Sequence, residues 1–101
     1  MRKIEENMCN AINCGQPWSG GNTMVSPRQR INGDTVCSVF LHGHHIADVE
    51  FTAIGKVIDV NIETLRQWPT VTTKSRLRAL GVDICQKDFE IFIDGSAVCY
   101  V

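Results

Sequence analysis

The chain has 101 residues, is 44% hydrophobic and carries a formal net charge of −1, which suits one folded domain, excludes a second and argues against disorder throughout. Its apolar runs are short and the start MRKIEENMCNAI lacks a continuous apolar stretch, so neither a membrane span nor a signal peptide is expected, and a cytoplasmic location is. Five cysteines, an odd number in a chain large enough to bury a core, read as free thiols acting as small hydrophobes rather than a disulfide framework.

In chain order, residues 3–13 form the first expected helix. Ile4, Met8, Ala11 and Ile12 share one face, Glu5 and Glu6 favour the first turn, and Gly15 with Pro17 ends it. The segment GQPWSGGNT reads as a loop. No lysine and no helix pattern follow its glycines, so it is not a phosphate-binding loop. Trp18 within it either covers the core edge or offers an exposed platform to a base or a partner. A short strand at Met24 and Val25 leads to SPRQRINGD, which carries Arg28 and Arg30 and ends in the hairpin signal Asn32-Gly33.

The next run, TVCSVFLH, is strand-like and enters LHGHHIADVE. Gly43-His44 reads as the centre of a type II′ hairpin. That register pairs His42 with His45, Phe40 with Ala47, Ser38 with Val49 and Val36 with Phe51. His42 and His45 would then share a face, with His44 in the turn. Two histidines do not complete a zinc site, and Cys9 and Cys14 have no companion pair, so no metal and no other cofactor is expected. After a turn near Ala53 to Gly55, KVIDVNI reads as a further strand, with Ile58, Val60 and Ile62 on one side.

Pro69 holds Trp68 out of a simple helix. Thr70 or Thr72 can cap a helix over 73–80, closed by Gly81, with Thr73, Leu77 and Leu80 on one stripe. Arg66, Lys74, Arg76 and Arg78 are dense in sequence and read as a basic patch or as a solvated helix face. The end reads as two or three strands, with Phe89, Ile91 and Ile93 on one face and a turn at Asp94-Gly95. The expected fold is α+β: a small antiparallel meander of about five strands, packed by the N-terminal helix and the helix near 73–80.

The phrases KIEENMCNAI, WSGGNTMV, VFLHGHHIA, WPTVTTKSRLRAL and FIDGSAV resemble a group of short bacteriophage-encoded proteins, mostly of unassigned function. The resemblance touches most of the chain and implies a phage protein acting on host machinery or on phage nucleic acid. It assigns no role to any histidine or cysteine.

Three functions remain open. A small metal- or cysteine-dependent enzyme lacks a paired acid and base at a telling spacing. An accessory nucleic-acid binder would use the basic helix, with Trp18 or Trp68 stacking on bases. A non-enzymatic protein that binds a host or phage protein, as an inhibitor or adaptor, needs no catalytic group and uses separated charge. The last is the reading adopted, with Trp18, Arg28, Arg30, His42, His44, His45, Arg66, Trp68, Lys74, Arg76 and Arg78 as candidate contacts. A homodimer through an exposed sheet edge is a further alternative.

Overall fold

A computed structural model describes residues 2–31, 33–52, 55–87 and 90–100. It is α+β. Helix α1 (Lys3–Cys14) precedes five strands: β1 (Trp18–Gly20), β2 (Thr23–Gln29), β3 (Thr35–Leu41), β4 (His44–Thr52) and β5 (Gly55–Val60). Helices α2 (Ile62–Gln67) and α3 (Val71–Leu80) follow, then β6 (Ile84–Lys87), β7 (Glu90–Ile93) and β8 (Ser96–Tyr100). The first five strands form an antiparallel meander in sequence order, and the last three form a separate sheet.

Helix α1 buries Met8, Ala11 and Ile12, and Gly15 closes it in the left-handed conformation at φ 63°. The apolar stripe packs on the sheet face that carries Val25, Cys37, Val39, Ala47 and Val49. Contact across this layer is close: the Cys37 thiol points at the Ile12 carbonyl, 3.8 Å away. Thr70 caps α3, accepting from the Thr73 N–H at 3.1 Å, and Gly81 ends the helix at φ 108°. Thr73, Leu77 and Leu80 are buried as their spacing requires.

Four expectations need correction. Trp18–Gly20 is a strand rather than loop; Gly21 at φ 57° turns it into β2. Ile62 does not extend β5 but opens α2, because Asn61 accepts from the Thr64 N–H and starts a helix. The C-terminal strands form their own sheet instead of joining the meander.

The fourth concerns the central hairpin. Its loop is His42-Gly43, with φ 52° and 80°, so Leu41 pairs with His44 and Phe40 with His45. Positive φ at both central residues is the type I′ pattern, and histidine enters that region more readily than most residues. A register shift at Val39/Phe40 then makes Val39 face Ala47, Ser38 face Asp48 and Val36 face Glu50. Phe40 does not pair with Ala47, and His42 does not face His45. The bulge places Ile46 and Ala47 both in the core. Of the expected turns and faces, Asn32, Ala53 and Phe89 lie outside the described residues, whereas Asp94-Gly95 is a turn with φ 52° and 83°.

Candidate functional site

The tip of the β3–β4 hairpin meets the corner between α2 and α3. Helix α2 ends when the Trp68 N–H reaches the Thr64 carbonyl at 2.8 Å. Trp68 leaves helical geometry, at φ −132° and ψ 62°, as the following Pro69 requires. This break projects the indole outward. His44 stacks on it from the start of β4, with ring centroids 4.7 Å apart and planes at 28°. Beside the pair lies an apolar groove of about 200 Å³. Leu41 and Ile46 come from the hairpin, while Thr64, Thr70 and Thr73 come from the helices. Thr70 and Thr73 hydroxyls bond each other at 2.9 Å, so they present little free polarity. Trp68 remains 47% exposed, leaving a large aromatic edge beside an apolar hollow.

His45 faces the other side of the sheet. The bulge sets it on the same face as Asp48, although three positions separate them. Asp48 accepts from the Ser38 hydroxyl at 2.7 Å, and His45 Nε2 lies 2.8 Å from the same oxygen. Asn61 Oδ1 already accepts from Thr64 N–H, so its amide nitrogen donates to His45 Nδ1 at 3.3 Å. This assigns the ring proton to Nε2, which donates to Asp48. Phe40 leans on the imidazole at 5.4 Å. Burial pushes the Asp48 carboxyl up, but the hydrogen bonds from Ser38 and His45 and the charge of Arg28 outweigh it, leaving it below its ordinary value. The residue types are those of a hydrolytic triad, but the order is not: aspartate sits between serine and histidine. No bond joins Ser38 to His45 among the described contacts, so the imidazole is not placed to take the serine proton.

The basic residues of 66–78 do not form one patch. Arg76 is 3% exposed and enclosed beneath the surface. Its Nη1 donates to Glu5 Oε2 at 2.8 Å and its Nε to Thr23 Oγ1 at 3.0 Å. Ser75 donates to the same Glu5 oxygen at 2.6 Å. Burial raises the Glu5 carboxyl, yet Ser75, Arg76 and the Arg2 backbone N–H together hold it below its ordinary value. Arg76 is thus withdrawn from any partner, because its apolar-stripe position buried it and Glu5 satisfied it. Arg78 Nε donates to the Ile84 carbonyl at 3.0 Å, and Lys74 bonds Gln86. Arg66 is exposed, 3.9 Å from Glu63.

Arg28 and Arg30 extend over the open sheet face, 3.6 Å from Asp48 and 3.2 Å from Glu50. Trp18 is half-buried against the core, its indole lying over Gly20. His42 sits in the hairpin turn. Cys9 and Cys37 donate to backbone carbonyls, and burial pushes both thiols up. Cys14 and Cys85 are exposed and free, and among the described residues no group of three or more His, Cys, Asp or Glu side chains is arranged to hold a metal ion.

The sequence reading missed the groove, the Asp48 network and the Glu5–Arg76 pair. Only the last had a visible signal: Thr73, Arg76, Leu77 and Leu80 share a helical stripe, which puts the arginine among buried side chains.

The fold defines a short α+β protein. The chain belongs to the Kyanoviridae Gp96 protein family, a phage family whose sequence model matches residues 1–100. Comparison with curated proteins and with solved structures gives no match. No helix among the described residues is long and apolar enough to cross a membrane.

Proposed function

We propose that this phage protein works by binding another protein, as an inhibitor or adaptor directed at host machinery in the host cytoplasm. The observation that carries this reading is the His44–Trp68 stack beside the apolar groove. A half-exposed tryptophan at the lip of an apolar hollow is the arrangement that dominates binding energy in protein interfaces. None of the groove's lining residues is a lysine or arginine, which suits an apolar side chain of a partner better than a phosphate. The nucleic-acid alternative draws less support, because Arg76 is enclosed and Arg78 is tied to a backbone carbonyl.

The test is affinity capture from nuclease-treated host lysate, comparing wild type, Trp68→Ala and the double variant Arg66→Ala/Lys74→Ala. The expected result is a discrete protein retained by wild type and by the double variant, and lost by Trp68→Ala, with circular dichroism unchanged. Retention by Trp68→Ala, or salt-sensitive binding of purified DNA or RNA lost in the double variant, would overturn the reading.

A further inference from the structure

The open face of the five-stranded sheet has its charges sorted by strand. Arg28 lies on β2 and Arg30 just beyond it; Asp48 and Glu50 lie on β4, and Asp59 on β5. Arg28 and Arg30 are 63% and 55% exposed. Asp59 is exposed, stands directly opposite Asp48 in the β4–β5 register, and has no ion pair among the described residues. Like charges opposite each other on neighbouring strands repel. Met24 and Val57, 42% and 49% exposed, lie on the same face, with Phe40 half-buried near its middle. A solvated face is ordinary for an antiparallel sheet. Arg28 and Arg30 reach across β3 to Asp48 and Glu50, which leaves Asp59 as the carboxylate on this face without an ion pair among the described residues, a gap that a complementary surface would fill.

We infer that this face pairs with the same face of a second copy of the chain. A two-fold axis lying between the two sheets and parallel to the strands reverses strand order across the interface. The basic strand β2 of each copy then covers the acidic strands β4 and β5 of the other, and every contact occurs twice. Charge complementarity selects a second copy because one surface carries both halves of the pattern. Arg28 contributes most: a guanidinium has five N–H donors, and its pairing with Asp48 is loose at 3.6 Å. It can therefore hold Asp48 within its own chain and Asp59 of the second copy together. Met24 on β2, Phe40 on β3 and Val57 on β5 supply apolar area on the same face. Four strands at about 4.8 Å spacing, with about six residues each, make a face of roughly 15 by 20 Å. That is smaller than a standard stable interface, so the dimer is weak.

The test is sedimentation equilibrium of the full chain over a range of concentrations, at low and high salt. Wild type is expected to show a monomer–dimer equilibrium that weakens at least tenfold as salt screens the charges. Arg28→Glu and Asp59→Lys are each expected to be monomeric alone. Mixed in equal amounts, they are expected to form a heterodimer, because the two reversed charges attract each other at one contact and the native arginine and aspartate meet at the other. Circular dichroism checks that each variant is folded; Asp59→Lys is a surface change that removes the repulsion with Asp48 and keeps the test informative if Arg28→Glu misfolds. A wild type that stays monomeric at low salt and high concentration overturns the inference, as does a dimer that neither substitution weakens.

Discussion

Arg76–Glu5 and Arg30–Glu50 are the same chemistry in two surroundings. The first pair is 2.8 Å apart with both side chains no more than 5% exposed; the second is 3.2 Å apart with the arginine 55% exposed. Arg76 is tied to Glu5 and Thr23, and Ser75 also donates to Glu5, so the pair links α3 to α1 and to the start of β2. Arg30 and Glu50 bridge across β3 above Val36, which is fully buried. Water competes for the second pair and hardly for the first. An arginine's role in this protein is therefore set by the elements above it, and formal charge alone does not distinguish a staple from a recognition group.

The sharpest way to break that comparison is at the buried pair. Arg76→Ala leaves Glu5 enclosed without its counter-charge and is expected to cost about 3–5 kcal/mol of unfolding free energy. Replacing both partners, as Glu5→Leu/Arg76→Met, is expected to recover most of that loss, because an apolar pair leaves no unpaired charge. Urea unfolding of the two variants measures both quantities. Equal losses in the single and double variants would mean that packing, rather than charge, holds this site.

A packing control without charge comes from Gly20, where a Cβ would stand 2.4 Å from the Trp18 ring. Gly20→Ala must displace the indole and is expected to cost about 1–3 kcal/mol, an overpacking effect. The blue shift of the Trp18 emission should diminish in the folded variant; a Trp68→Phe background isolates that signal.

Acid probes the hydrogen-bonded carboxylates in another way. Glu5 and Asp48 are both held below the ordinary carboxylate value in the fold. Their contribution is therefore present above the unfolded value of about 4, and is lost as pH falls through the lower folded values. Stability should decline steeply below about pH 4, and Glu5→Gln should flatten that decline while lowering stability at neutral pH. Unfolding midpoints measured from pH 7 to pH 2 test the sign; a steeper acid loss in the variant would contradict it. The smallest effect belongs to the open face. Arg30→Ala is expected to change monomer stability by about 0–1 kcal/mol, the range of exposed ion pairs, measured at a concentration where dimerisation is negligible.

Much of the fold was legible because its signals are local and periodic. The stripe Met8, Ala11, Ile12 specifies α1, and Thr70 and Gly81 bound α3. What was hidden depends on choices a glycine leaves open. Gly43 fits either central position of a two-residue turn, and taking the wrong one shifts the partners of every residue in β4. The bulge beside Val39 then reduces the slip from two positions to one without restoring any expected pair, and nothing in the alternation announces it. Asn61 reads as the continuation of a strand but caps a helix. The groove arises between residues more than twenty positions apart in sequence, His44 and Trp68, so spacing along the chain gives no hint of it.

The family places this chain among phage proteins, and the proposed activity rests on Trp68. The most direct measurement is a binding titration, by calorimetry, of the host protein recovered in the capture experiment against purified wild type and Trp68→Ala. The account predicts saturable binding by wild type, little changed by Arg66→Ala/Lys74→Ala, and at least tenfold weaker for Trp68→Ala, the loss expected for a tryptophan anchor. Equal affinity of wild type and Trp68→Ala, with both folded, would contradict it.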